Sequence, residues 1–142
     1  YKRQAFKTLN GHLVYGGGGI TPDIFIPYDT TKFSGELRKI YYSSELLKYV
    51  YGLYKNDSKF SSYKTINDLS KNFNPSEKEW QSFVAYISKD SIHLNNVSEK
   101  GKKEILNRIK AMMGRQLFQN EGLFEILNQN DEAIEKALDI LK

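Results

Sequence analysis

The spacing of apolar residues changes once along this chain, near residue 34, from a pattern typical of strands to one typical of helices. Before that point, Phe6 precedes the pair Asn10-Gly11, which strongly favours a tight hairpin turn, and residues 13–15 form a second apolar run. The sequence therefore predicts a mainly α protein. A β-hairpin and strand segment over about residues 4–27 is followed by an all-helical domain of about five helices over 34–142.

A third short apolar run, Ile24 to Ile26, lies between Pro22 and Pro27. Because proline cannot donate a backbone hydrogen bond, this run is predicted to be a strand at the edge or the end of a sheet. Three short strands without a covering helix bury too little apolar surface to be stable alone. Residues 1–30 are therefore expected to pair with another part of a larger structure.

The first helix is predicted to begin near Ser34, to run for about five turns and to end at Asn56-Asp57-Ser58. A short helix is predicted over 66–73, with Thr65 as its N-cap. The apolar residues expected on the buried face of the first helix are Leu37, Ile40, Tyr41, Leu47, Tyr51 and Tyr54.

The next helix has the clearest start signal in the chain. Asn74 is predicted to cap it, Pro75 to take the first helical position, where its missing N–H costs nothing, and Glu77 to close a capping box. The helix is expected to direct four apolar residues inward: Trp80, Phe83, Val84 and Ile87.

A loop is predicted over 90–97, after which Ser98 caps a longer helix. Gly114 within that helix costs about 1 kcal/mol relative to Ala, which indicates close helix packing or a break nearby. The last helix is predicted to be capped by Asn130 or Asp131. The apolar residues that define these helices are Ile105, Leu106, Ile109, Met112, Met113, Leu117, the run 123–127, Ile134, Ala137, Leu138 and Leu141.

Composition excludes several kinds of chemistry. The chain has no Cys, so disulfides, a thiolate zinc site and a cysteine nucleophile are excluded. The net charge of +4 is dispersed apart from residues 100–103, and a nucleic-acid partner is therefore not predicted.

No segment approaches the roughly 20 apolar residues of a membrane span. The first residue is Tyr rather than Met, and we expect the chain to be part of a longer protein.

Four consecutive glycines, Gly16 to Gly19, resemble a phosphate-binding loop at first sight. Such a loop needs a helix whose amino end faces the phosphate, and here the glycines lead into the strand-like run Ile24 to Ile26. Nucleotide binding is therefore not predicted.

Ser61 and Lys64 have the spacing that places a nucleophile and an amine base one helical turn apart. No companion motif of the penicillin-recognising enzymes accompanies them, so a solvated segment is the favoured interpretation. His12 and His93 belong to no metal-binding or catalytic set. We predict no catalytic, cofactor-binding or metal-binding residue in this chain, and no cofactor.

Residues 6–11 and 14–23 together resemble the segment that closes the protease core of the tail-specific, or C-terminal processing, serine peptidases. In that family a Thr and a turn Gly are followed, after a strand, by a glycine-rich step and the motif Gly-Ile-x-Pro-Asp. His12 departs from the pattern, because many relatives have Arg after the turn Gly. The residues that carry the resemblance are Thr8, Gly11, Gly16, Gly17, Gly18, Gly19, Ile20, Pro22 and Asp23.

The resemblance implies a parent protein that is an endopeptidase of the bacterial cell envelope, in the periplasm, with a Ser nucleophile and a Lys base. A PDZ domain that captures the C-terminus of protein substrates often accompanies that core. Residues 1–30 would then be the terminal strands of the peptidase core, and 34–142 a helical C-terminal domain with a structural, regulatory or oligomerisation role, for example in a homodimer. Because the Ser/Lys dyad would precede this chain, the chain alone is expected to be inactive.

A second interpretation belongs to a different class of protein. The chain could be a free-standing helical protein-interaction module whose glycine-rich start is a flexible arm. The sequence leaves both interpretations open, and it does not identify the ligand of the helical domain.

Overall fold

The computed structural model describes residues 4–17, 24–27, 35–90, 94 and 97–141. The protein is mainly helical, with an N-terminal two-stranded antiparallel sheet followed by helices, as predicted. Within the described ranges there are seven α-helices rather than about five. The elements are β1 (Ala5–Lys7), β2 (Leu13–Tyr15), α1 (Gly35–Tyr42), α2 (Glu45–Asn56), α3 (Lys59–Ser62), α4 (Ile66–Asn72), α5 (Glu77–Ile87), a 3₁₀ turn (Ser88–Asp90), α6 (Glu99–Asn128) and α7 (Glu132–Ile140).

The predicted hairpin is present, with Phe6 opposite Val14 at the centre of its register. Gly11 adopts a φ of +82°, a conformation that favours glycine, and its N–H donates to the carbonyl of Thr8 at 2.9 Å. The predicted third strand, Ile24 to Ile26, is wrong, because these residues have no strand structure. A strand needs a neighbouring strand to which it is hydrogen bonded, and the two flanking prolines reduce the number of backbone N–H groups that could make such bonds.

The long first helix of the prediction is two helices, α1 and α2, which are interrupted at Ser43 and Ser44. The Ser43 hydroxyl donates to the carbonyl of Ile40 at 2.8 Å and accepts from the N–H of Glu45 at 3.2 Å. A serine side chain that bonds to nearby backbone groups competes with the helical ladder, which explains the break.

The predicted start of α5 is shifted by two residues. Ser76 precedes the helix, and Glu79 accepts from the N–H of Ser76 at 2.8 Å and from its hydroxyl at 2.9 Å. Asn74 does not cap this helix; its side-chain amide donates to the carbonyl of Lys71 at 3.0 Å. Pro75 therefore lies before the helix, and Glu77 pairs with Lys102 of α6.

The other predicted caps are correct in position. The side chain of Thr65 accepts from the backbone N–H of Asp68, and the side chain of Ser98 accepts from the N–H of Gly101. The side chain of Asp131 accepts from the N–H groups of Ala133 and Ile134. In each helix a side-chain oxygen satisfies a first-turn donor that has no partner within the helix.

α6 lies at the centre of the helical part and contacts α1, α2, α4 and α5. The buried side chains are all apolar within the described ranges. Burial of this apolar surface is the main stabilising term for the arrangement. The largest fully buried side chains are Phe60, Phe83, Ile40, Leu46, Leu69, Ile87, Ile105, Ile109, Met113, Ile126 and Val50.

The axis of α6 breaks at Phe118 and Gln119, where Gln119 has φ +59° and ψ −148°. After this break the backbone of Gly122 lies against that of Gly114. A Cβ on Gly114 would be 2.6 Å from the carbonyl oxygen of Gly122. A straight helix would separate these two residues by about 12 Å, so the second half of α6 is folded back onto the first. Both alternatives raised by Gly114, close packing and a nearby break, are present.

We predict that Gly114→Ala destabilises the protein by about 1–3 kcal/mol, because the new methyl group has no room against the Gly122 backbone. Gly52→Ala in α2 is the matched control. Its Cβ would meet no atom within 4 Å, so the better helix propensity of Ala should stabilise the fold by up to about 1 kcal/mol. Urea unfolding followed by circular dichroism measures both, and equal effects of the two substitutions would contradict the proposed contact.

Tyr49 joins α2 to α5. Its hydroxyl donates to the backbone carbonyl of Glu79 at 3.1 Å, and its ring packs edge-on against Phe83 with centroids 5.1 Å apart. Burial raises the pKa of the Tyr49 hydroxyl above its ordinary value near 10. Because folded Tyr49 holds its proton more tightly than the unfolded chain does, this contribution to stability is complete below about pH 10 and is lost as the pH rises through the raised pKa.

Tyr49→Phe is expected to lower the free energy of unfolding at neutral pH by about 1 kcal/mol, the net value of one hydrogen bond. The difference in free energy of unfolding between the wild type and Tyr49→Phe should shrink above about pH 10, because only the wild type has a Tyr49 hydroxyl whose contribution to stability is lost there. Urea unfolding at neutral and alkaline pH measures this difference. Tyr51→Phe, at an exposed position of the same helix, should have little effect at neutral pH. A difference for Tyr49→Phe that stays constant with pH would contradict this account.

Candidate functional site

The serine and lysine with a dyad-like spacing do not form a dyad. Ser61 lies in α3 and its hydroxyl donates to the carbonyl of Ser58 at 2.7 Å, while the Lys64 ammonium donates to the backbone carbonyl of Ser61 at 3.3 Å. Both side chains are exposed. A nucleophile needs its hydroxyl on the base and a site that excludes water, and neither condition is met here.

Among the residues that the structure describes, no group of three or more His, Asp or Glu side chains could hold a metal ion. No described helix is long and apolar enough to cross a membrane. His12 is exposed beside the hairpin turn, where its backbone N–H donates to the Thr8 hydroxyl at 3.1 Å. His93 lies outside the described residues.

A cleft of about 100 Å³ opens between α2, α3 and α5. Its aromatic wall is the pair Phe60 and Phe73, whose ring centroids are 4.9 Å apart and nearly perpendicular. The cleft is smaller than a cavity of about 150 Å³ that holds benzene, so it admits a group no larger than an aliphatic side chain. The residues that line it are Tyr49, Leu53, Asp57, Lys59, Phe60, Phe73, Lys78, Glu79 and Ser82.

The two carboxyls of this cleft, Asp57 and Glu79, both have lowered pKa values. The backbone N–H of Lys59 donates to Asp57 at 3.0 Å and lowers the pKa of that carboxyl, with further help from the Lys59 ammonium at 3.2 Å. Burial acts to raise the pKa of Glu79, but its hydrogen bonds with Ser76 prevail and lower it. A general acid or base works best with a pKa near the working pH, and these carboxyls are moved away from neutrality.

Lys110 of α6 makes hydrogen bonds to α4 and to the segment that follows α4. Its ammonium donates to the carbonyl of Ser70 at 2.6 Å, near the end of α4, and to the side-chain oxygen of Asn74 at 2.8 Å. Burial lowers the pKa of this lysine. The ammonium thus satisfies a carbonyl at the C-terminal end of a helix, where a cation is favourable, and its role is to attach α4 to α6. Sequence reasoning missed it, because nothing local distinguishes this lysine from its neighbours.

The residues that carried the family resemblance are partly described. Thr8, Gly11, Gly16 and Gly17 lie in or beside the hairpin, whereas Gly18, Gly19, Ile20, Pro22 and Asp23 lie outside the described residues. A Cβ on Gly16 would be 3.0 Å from the ring of Phe6, and Gly17 has a φ of +82°. The glycines therefore let the chain leave β2 close to an aromatic side chain of β1.

Every residue of both hairpin strands is exposed. Phe6 and Val14 share one face with half of their surface open, at 50% and 46%. Leu13 and Tyr15 are exposed on the opposite face, since side chains alternate along a strand. Both faces of the hairpin therefore expose apolar side chains, and the second face also carries Lys7 opposite Leu13.

The terminal helix α7 has a similar character, because none of its residues is buried. Its apolar residues recur at the spacing of one helix face and include exposed Leu138, and the C-cap residue Leu141 is exposed as well. Four carboxylates, Asp131, Glu132, Glu135 and Asp139, separate those residues along the sequence. The hairpin and α7 are therefore two parts of the described chain that expose apolar surface a partner could cover.

Comparison with curated proteins finds no match, and comparison with solved structures finds none either. Residues 37–119, from α1 to the break in α6, match a family of unknown function (DUF8443). The matched span is more than half of the 142 residues. It includes most of the apolar core and excludes the hairpin, the second half of α6 and α7. The chain therefore belongs to this family of unknown function, DUF8443.

Proposed function

We propose that this chain is the C-terminal part of a tail-specific serine endopeptidase. In this proposal a Ser/Lys catalytic core precedes residue 1, the hairpin completes the sheet of that core, and the helical domain over 34–142 is not catalytic. The observation that carries the proposal is a hairpin that has the family's motif residues and is exposed on both faces.

A two-stranded sheet of three residues per strand is at best marginally stable in water. This hairpin presents Phe6 and Val14 on one face and Leu13 and Tyr15 on the other. Strands that are apolar on both faces are typical of sheets with a packed layer on each side. A neighbouring strand and two covering layers from a peptidase core would supply the missing partners.

The glycines after β2 fit the same role. Gly16 already lies so close to Phe6 that a side chain would displace the ring. Gly17 has a positive φ, a conformation in which other residues would be strained. A backbone that must leave a sheet between packed layers needs such residues, whereas a simple flexible arm would not require them next to an aromatic ring.

The helical domain has its own apolar core, so its proposed role does not depend on a catalytic group. Its described residues contain neither a dyad nor a metal cluster, and the two carboxylates of the cleft between α2, α3 and α5 are already hydrogen bonded. We propose a structural, regulatory or oligomerisation role, in which the exposed apolar face of α7 packs on the core or on a second copy in a homodimer.

The remaining elements of the proposal follow from the family resemblance. The parent protein would act on the C-termini of protein substrates, with the help of a PDZ domain, in the bacterial cell envelope, most naturally the periplasm. Neither a cofactor nor a nucleic acid takes part in that chemistry.

The first prediction of the peptidase proposal concerns the gene that encodes this chain. The reading frame upstream of Tyr1 should encode a Ser/Lys peptidase core within about 200 residues, somewhat more than the usual size of one domain. Sequencing the gene tests this directly. The 142-residue chain itself should not cleave a peptide substrate, and Ser61→Ala should change nothing. An upstream frame without such a core, or turnover by the isolated chain, would overturn the proposal.

The second prediction concerns the hairpin within the whole protein. Gly16→Val should lower peptidase activity by at least about tenfold, because the new side chain meets the Phe6 ring and prevents the hairpin from closing the core. Gly52→Ala in α2 is the control and should leave activity unchanged. In the isolated chain Gly16→Val should not alter helix unfolding, since the strands are exposed. Full activity of the Gly16→Val enzyme would contradict a closing role for the hairpin.

The alternative, a free-standing helical interaction module with a flexible glycine-rich arm, is favoured by one observation, the uncovered apolar face of α7. It predicts no peptidase core upstream. It also predicts that removal of residues 1–29 leaves solubility and thermal stability unchanged and that amides of residues 4–17 exchange freely with solvent. The gene sequence separates the two proposals.

A further inference from the structure

The break in α6 places backbone strain on Gln119. This residue has φ +59° and ψ −148°, close to a region of backbone conformations that essentially only glycine adopts without cost. Its side chain is exposed, so burial of that side chain does not offset the cost. The preceding residue, Phe118, is also outside the helical region, with φ −129° and ψ 19°. The fold-back of α6 therefore opposes the conformational preference of the residue at its tip.

A straight helix would remove this strain, and the sequence permits one. Residues 115–128 contain no proline and one glycine, Gly122, and glutamine is among the better helix formers. With helical angles at Gln119, the backbone hydrogen bonds of α6 would continue from its first half into its second. The strain at Gln119 thus favours a straight form of α6 over the folded-back form.

Straightening also has a cost, because it separates the two halves of α6. Gly114 and Gly122 would lie about 12 Å apart, and their close backbone contact would be lost. Ile126 lies over Gly114 in the folded-back form, and with Leu123 it would become exposed to water. A single straightened chain is therefore unfavourable unless another molecule supplies the same contacts.

A second copy of this chain can supply all of them. When two copies exchange their second halves, each contact within one chain becomes the same contact between chains, and the pair has two-fold symmetry. Gly114 of one copy then meets Gly122 of the other copy, at both ends of the same interface. In a straight helix these glycines are about two turns apart and within about 80° of each other around the axis, so one side of the helix presents both.

The segment beyond the break is suited to such an exchange. Among its described residues, 120–141, the buried ones are Gly122, Leu123 and Ile126, and no residue of α7 is buried. A segment with few buried residues opens at a lower free-energy cost than one that is deeply embedded in the core. The second half of α6 and α7 can therefore separate from the other helices without exposing most of the core.

We propose that α6 straightens at Gln119 and that two copies of this chain exchange residues 120–141, which gives a domain-swapped homodimer. Short connections under strain favour such exchange, because the strain is released in both copies. At low protein concentration the folded-back monomer predominates, since it needs no second molecule. This inference is independent of the peptidase proposal, because it concerns only α6 and the segment that follows it.

The test refolds the intact chain from urea at a series of protein concentrations and measures its mass by light scattering after size-exclusion chromatography. Refolding allows every sample to reach either form. We expect a monomer at low concentration and a dimer at high concentration. In a dimer of one isotope-labelled and one unlabelled copy, NMR should detect contacts between Gly114 of one copy and Gly122 of the other.

Gln119→Gly accepts the positive φ without strain and weakens a straight helix, so it should raise the dissociation constant of the dimer at least about tenfold. Gln119→Ala keeps the strain and favours the helix, so its dimer should be at least as stable as that of the wild type. The matched control is Gln81→Gly, at an exposed position of α5, which should change the dissociation constant by less than about twofold. Melting curves followed by circular dichroism show whether each variant is folded. If Gln119→Gly does not fold, the wild-type measurements still decide.

Three results would contradict the swapped dimer. The first is a wild-type chain that stays monomeric at every concentration up to its solubility limit. The second is a dimer in which Gly114 and Gly122 of the same copy remain in contact, as in two folded-back chains that associate through another surface. The third is an equal dissociation constant for the folded Gln119→Gly variant and the wild type.

Discussion

The arrangement of the helices depends on the contact between two glycines in one helix. Gly114 and Gly122 touch through their backbones, and this allows the second half of α6 to fold back along the first. The first half then presents Ile105, Ile109 and Met113 to the other helices, while Ile126 of the second half closes over Gly114. Any side chain at either glycine would separate the two halves and, with them, the surfaces on which α1, α2, α4 and α5 pack.

The helical part and the hairpin differ in how completely they bury their apolar residues. The helical part buries its own apolar residues and caps the ends of α4, α5, α6 and α7 with side-chain oxygens. The hairpin has a well-formed turn but leaves both of its faces in contact with water. A sequence that specifies a turn so clearly, and then fails to cover the strands, is consistent with selection in a larger structure. This contrast is the physical basis of the peptidase proposal.

Much of the fold could be predicted from local signals. The Asn10-Gly11 turn and the caps at Thr65, Ser98 and Asp131 each depend on a few adjacent residues, and the structure contains all of them. The errors arose where two local signals compete. Asn74-Pro75 and Ser76 with Glu79 are both good helix starts, and the second prevails while Asn74 bonds to Lys71 and Lys110 instead.

The contacts that span the chain could not be predicted in this way. The spacing of apolar residues predicts one continuous helix, but the helix breaks at Ser43 and Ser44. The break depends on the hydrogen bonds of a serine hydroxyl, which the apolar spacing does not reflect. Lys110 and Arg108 are separated by one residue in a basic helix, yet one attaches α4 and the other stacks on Tyr41. Their roles depend on which helix packs against each of them, and this cannot be inferred from a single sequence.

The fold-back of α6 also has a consequence for how the chain reaches this structure. Its two glycines are only eight residues apart in sequence, so the loop that their contact closes is short and costs little chain entropy. Contacts of this kind form early, before pairings between distant segments, and proteins rich in them fold quickly. The break at Gln119 therefore does more than shape the mature domain. We expect α6 to provide a local nucleus on which α4 and α2, which come earlier in the chain, assemble.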